Sequence, residues 1–216
     1  MKNIITKEEL CKILEYFYVQ ILEISLCLDS LDAIKEIGEE KIKIAKNFFF
    51  VTHRSLIIRY SVELTKLTDK NEERSIYRIM KLCSQNAEWF DSKDELENLC
   101  KQVKKELKKY ENIISNLKGR RNKTYVHSDE DYYYFNQKAI DEFPLKGKEQ
   151  EINQIVNLLY NFALVLQKEI HGRYENDNYP RNYDDVKKLF NIPTNDEIGE
   201  SEILKLWNRG ANNDKL

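Results

Sequence analysis

The sequence predicts an all-α protein: an antiparallel helical bundle followed by short C-terminal helices. Three observations carry that expectation. Helix breakers are scarce, with 6 glycines and 3 prolines in 216 residues. Apolar residues recur at three- and four-residue spacing over long stretches, with no sustained alternation of period two. Charged residues make up 33% of the chain and mix both signs, as on solvated helix faces.

Taken in order, the elements begin with Thr6 and Glu9, spaced as a capping box. Behind them Leu10, Ile13, Leu14, Phe17, Ile21, Ile24, Leu28 and Leu31 predict one helix over 7–36, ending near Gly38. A second helix is predicted over 40–67. Its middle, NFFFVTHRSLIIRY, is apolar around much of its circumference and is expected to be the most buried segment. TDKNEER reads as a turn, and a shorter helix follows from Ser75 to about Glu88. Ser92 and Glu95 form a second capping box. It opens a long helix, over 93–118 or beyond, with an apolar seam of Leu96, Cys100, Val103, Leu107, Tyr110, Ile114 and Leu117. DEFPLKGKE is an irregular connection, and a fifth helix is predicted over 149–171. This divides the chain into a bundle over 1–175 and an extension over 176–216. Trp207, Leu204 and Leu206 in the extension suit docking onto the bundle or a partner.

Composition narrows the function classes. The longest apolar run, Val156 to Leu166, is too short to span a bilayer, so no membrane association is expected. The first ten residues lack a secretory apolar region. Cys11, Cys27, Cys83 and Cys100 fall in helical apolar patterns without CxxC spacing and read as reduced core thiols, pointing to a cytoplasmic protein. A net charge of -2 means that any nucleic-acid contact must use a local patch. His53, His127 and His171 are scattered and form no HExxH or Glu-x-x-His pair, so no metal site is expected. No phosphate-loop motif is present and no cofactor is expected. His53 reads as a hydrogen-bonded core or interface histidine, and Arg59 with Glu63 as a simple helix pair. The run Lys101, Lys104, Lys105, Lys108 and Lys109 reads as a solvated face, or as a surface that steers RNA.

The stretch GRRNKTYVHSDEDYYY, residues 119–134, stands out. Seven residues beyond Ile114, the seam reaches Arg121 where an apolar residue belongs. An inward guanidinium needs a partner, a second chain or a wet cleft. Alternatively Gly119 ends the helix and the register stops mattering. Lys118, Arg120, Arg121 and Lys123 form a basic cluster that could hold phosphates, although on charge alone it suits the negative end of a helix dipole better. His127 adds a histidine, the residue type whose unperturbed side chain titrates near neutrality and so suits acid–base chemistry.

RRNKTYVHSD resembles the R-x(4–6)-H signature of the HEPN superfamily (higher eukaryotes and prokaryotes nucleotide-binding), with Arg121 and His127 as the pair. Asn122 fits the polar residue that often follows the arginine, and R-N-K-x-x-x-H-S-D is most similar to the abortive-infection U-type (AbiU-like) branch. ELTKLTDKNEERSIYRIMKLC also resembles that branch: a helix closing on Leu-x-Asp, then a short helix.

The resemblance implies a helical homodimer with a composite cleft, and a metal-independent endoribonuclease acting as a toxin or phage-defence effector. RNA, a second copy and an antitoxin protein are the partners it implies. In that reading His127 is the general acid or base and Arg121 clamps phosphate oxygens. Asn122 orients either group, and Arg120 and Lys123 bind flanking phosphates. Asp129 fixes the tautomer or orientation of the histidine. The products are a 2′,3′-cyclic phosphate and a 5′-hydroxyl. The alternative is a non-catalytic HEPN dimer that binds RNA, nucleotide or a partner protein. Two features depart from the pattern. Arg120, seven residues before His127, shares an α-helical face with it better than Arg121 does. Asp129 also stands where some family toxins carry a modifiable tyrosine, and Tyr132, Tyr133 and Tyr134 read as packing or interface aromatics.

Overall fold

The computed structural model describes residues 5–126 and 141–171. Seven α-helices account for most of them, and no strand occurs among the described residues. They are α1 (Lys7–Glu36), α2 (Glu39–Ile44), α3 (Lys46–Thr68), α4 (Ile76–Gln85), α5 (Lys93–Lys109), α6 (Glu111–Arg120) and α7 (Glu149–His171). The protein is all-α, as its periodicity predicts. The extension over 176–216, with Trp207, lies outside the described residues.

The chain falls into two compact units. Among the described residues, the first holds the start of α1, the later part of α3, and α4 to α7. The second is Leu26–Leu56.

In the first unit the capping boxes start their helices as expected. The Thr6 hydroxyl accepts from the Glu9 N–H at 3.1 Å, and the Glu9 carboxylate accepts from the Thr6 N–H at 2.7 Å. Ser92 accepts from the Glu95 N–H at 3.3 Å. The core joins Leu10, Leu14, Phe17 and Ile21 of α1 to the buried faces of the other helices. Those include Ile79, Met80 and Cys83 of α4, Leu96, Val103 and Leu107 of α5, and Ile155, Leu159, Phe162 and Leu166 of α7. The Tyr18 and Tyr160 rings meet with centroids 5.6 Å apart, tying α1 to α7.

The long helix predicted over 93–118 is interrupted. Tyr110 (φ −104°, ψ 14°) separates α5 from α6, and its hydroxyl donates to Gln154 Oε1 on α7 at 3.1 Å. The interruption moves the seam by one residue. Ile113 and Leu117 are buried, and Ile114 is only half-buried. One helical turn past Leu117 the same face arrives at Arg121.

The second unit corrects two expectations. The helix predicted over 40–67 is broken at Ala45 (φ −134°, ψ 48°), which separates α2 from α3. The segment expected to be most buried is instead exposed at its start: Phe48 at 58%, Phe50 at 64% and Val51 at 60%. Only Phe49 there enters a core, with Ile34 and Ile37, flanked by Ile42, Ala45 and Leu56. An all-round apolar helix needs neighbours all round, and this small cluster supplies them on one side. Gly38, with φ of 83°, makes the left-handed turn that ends α1, where the sequence places it.

Candidate functional site

The turn TDKNEER is built to hold two carboxylates. At the end of α3 the Thr65 and Thr68 hydroxyls donate to the Ser61 and Leu64 carbonyls at 2.6 and 2.8 Å, satisfying buried polar groups inside the helix. Asp69 follows, its N–H on the Thr65 carbonyl at 2.8 Å and its own carboxylate accepting from the Asn71 N–H at 3.2 Å. That is an Asx-type turn. Backbone bonds from Glu72 to Asp69 and from Ser75 to Glu72 tighten it. Ser75 then caps α4, accepting from the Arg78 N–H at 3.4 Å.

The opposing element is α6. Gly119 does not end this helix: α6 continues to Arg120. Gly119 is required because a β-carbon there would overlap the Phe143 ring. The same connection is tied down by Asn116, which donates to the Pro144 carbonyl at 2.9 Å. Arg120 donates through Nε to the Phe143 carbonyl at 2.7 Å. After Arg120 the backbone widens into a π-helical turn, Arg121–Val126. Such turns recur at functional sites.

These two elements meet. Arg121 Nη1 lies 2.7 Å from Glu72 Oε1, and Arg121 Nη2 lies 3.9 Å from Asp69 Oδ2. Arg121 Nε donates to Asn122 Oδ1 at 3.0 Å. Lys118 Nζ lies 2.8 Å from Asp69 Oδ2. Side-chain exposure grades across the cluster: Asp69 7%, Arg121 15%, Glu72 37% and Lys118 40%. Burial pushes the Asp69 carboxyl up. The Lys118 hydrogen bond, the Asn71 N–H and the charges of Lys118 and Arg121 outweigh that and hold it below its usual range. Two cations and two carboxylates balance, so the cluster carries no net charge.

Arg121 therefore points inward, as the seam requires, and its partners come from its own chain. Glu72 and Asp69 were not singled out as site residues in the sequence. Their only signal there is that they belong to the Leu-x-Asp block that resembles the AbiU-like branch. Asn122 accepts from Arg121 through its Oδ1. Arg120 is directed to the Phe143 carbonyl, away from this ion-pair cluster, and Lys123 is half-buried. His127, Asp129 and Tyr132 to Tyr134 lie outside the described residues.

The remaining candidates sit elsewhere. His53 is half-buried in the second unit; burial, then the Lys35 charge, lowers its pKa. No side-chain hydrogen bond joins it to another of the described residues. Arg59 pairs with Glu23 at 3.0 Å and Glu63 with Lys66 at 2.8 Å, so the predicted Arg59–Glu63 pair does not form. Cys27, Cys83 and Cys100 are buried and Cys11 is half-buried, and no disulfide joins them. Burial raises the Cys83 and Cys100 pKa values. No helix among the described residues is long and apolar enough to cross a membrane.

The chain is all-α and carries Arg-Asn at the end of a bundle helix, facing a Leu-x-Asp turn, and it matches a HEPN family model, which makes it a HEPN-type domain. Within that class the chain belongs to the AbiU2 family, an abortive-infection-type family whose model matches residues 7–189. Comparisons with characterised proteins and with solved structures return no match.

Proposed function

We propose that this protein is a metal-independent endoribonuclease of the HEPN type, acting as a toxin or phage-defence effector. Its site is composite, with Arg121 and His127 contributed by each copy of a homodimer. The observation that carries the reading is the state of Arg121: a guanidinium at an inward seam position, fixed by Glu72 and Asn122, six residues before a histidine. A permanently charged planar donor held in one orientation suits the clamping of non-bridging phosphate oxygens. His127 then exchanges protons with the ribose 2′-hydroxyl or the leaving 5′-oxygen. Asn122 positions Arg121, and Arg120, Lys123 and Asp129 support flanking phosphates or the histidine.

A second reading rests on the same ion pair. Because Glu72 already satisfies Arg121, the pair can serve the fold alone, in a HEPN dimer that binds RNA, nucleotide or a partner protein without cleaving.

The deciding experiment is RNA cleavage in EDTA by the wild type, Arg121→Ala and His127→Ala, with the oligomeric state followed by sedimentation. Cleavage to 2′,3′-cyclic phosphate ends by the wild type, lost by at least about 100-fold in either variant, is the expected outcome. An intact wild-type dimer that leaves varied RNAs uncut would establish the binding reading instead.

A further inference from the structure

The five lysines of the run 101–109 are not equivalent. Lys101 and Lys109 pair with Glu97 and Glu106 of their own helix, at 3.9 and 2.6 Å. Lys104 and Lys108 form no ion pair among the described residues, and both line a cavity of about 720 Å³ between α5–α6 and the turn after α3. They are four residues apart and so share one helix face. Lys118 lines the same cavity, as does Lys70, whose ammonium lies 5.5 Å from the Tyr77 ring centroid. Against these four lysines the cavity presents two carboxylates, Asp69 and Glu111. Asp69 is already matched to Lys118. In a chain of net charge -2 this is a local surplus of positive charge in a concave surface. At the helical rise of about 1.5 Å per residue, Lys104 and Lys118 are spread over roughly 20 Å. Lys118 shares Asp69 with Arg121, so the lysine line ends at the candidate site.

We infer that this cavity is the track for a single RNA strand, with Lys104, Lys108 and Lys70 contacting phosphates beside the nucleotide delivered to Arg121. The inference rests on the ribonuclease reading above for the identity of the strand, and it deepens that reading by naming where the flanking backbone lies. The placement of the charge supports it. Lys104, Lys105 and Lys108 all form no ion pair among the described residues, and of these three Lys104 and Lys108 line the cavity, where Lys70 and Lys118 join them.

The test measures binding on a His127→Ala background, where the proposed cleavage does not consume the probe. A fluorescein-labelled single-stranded RNA is titrated by anisotropy across a salt series. The parent is compared with Lys104→Gln/Lys108→Gln and with Lys101→Gln/Lys109→Gln, which alters the same helix outside the cavity. Removing two phosphate contacts on a single strand should lower the slope of log K against log salt by about 1.4 and weaken binding about tenfold or more at low salt. The control pair should behave as the parent. Equal losses in both double variants, or none in the cavity pair, would overturn the inference. Its failure is separable from that of the ribonuclease reading. If wild type cleaves while the cavity pair keeps parental affinity and salt slope, only the track is wrong. If the cavity pair alone loses affinity while wild type never cleaves, the track stands as a binding site and the catalytic reading falls.

Discussion

Asp69 should matter to the fold more than Arg121 does. Asp69→Asn keeps an acceptor for the Asn71 N–H and removes only the charge. The Lys118 contact at 2.8 Å then becomes a hydrogen bond to a neutral amide. Charge-assisted bonds contribute about 1.5–3 kcal/mol. Lys118 is 40% exposed and can turn to water, which argues for the lower part of that range. The second cation, Arg121 at 3.9 Å and only 15% exposed, argues for more. A loss of about 2 kcal/mol follows, or about 4–8 °C in Tm for a chain of this size. Arg121→Met leaves Asp69 still paired with Lys118, and the Glu72 carboxylate, 37% exposed, regains water. That change should cost about 1 kcal/mol or less. Urea unfolding followed by circular dichroism at neutral pH measures both. The wild-type advantage over Asp69→Asn should also depend on pH with a definite sign. A folded-state pKa below the unfolded value of about 3.9 gives a contribution fully present above that value and lost as pH falls through the folded pKa. Arg121→Met costing more than Asp69→Asn would refute this reasoning. It would make Arg121 a fold-stabilising arginine and remove the reason for reading its burial as functional.

The other expectations can be tested alongside it. Gly119→Ala gains about 1 kcal/mol of helix propensity but overlaps Phe143, an overpacking cost of about 1–3 kcal/mol, so the variant should be destabilised. In a Phe143→Ala background the same change should turn neutral or stabilising, and thermal melts of the four proteins decide it. In native protein a disulfide reagent should modify Cys11 well before Cys27, Cys83 or Cys100, with mass spectrometry locating the label. Equal labelling of all four would contradict the burial of the three core thiols.

The sequence by itself determined the all-α class, both capping boxes, the turn at Gly38 and most of the core, because those depend on period and on contacts within a few residues, but not the breaks at Ala45 and Tyr110. It also carried the family, through two short blocks 49 residues apart at Glu72 and Arg121. What it could not determine was anything that needed a distant neighbour. Gly119 reads locally as a helix stop, and only the Phe143 ring shows that it is a packing glycine. NFFFVTHRSLIIRY reads as deeply buried because hydrophobicity is local, while burial depends on what surrounds it. The five lysines look alike until α5 is placed against the turn after α3. The seam marked Arg121 as inward-facing, but its partner stayed hidden, because a charge's cost and its compensation lie on different segments. Tertiary structure alone brought Asp69 and Glu72 to it, and so gave the two resembling blocks one physical site.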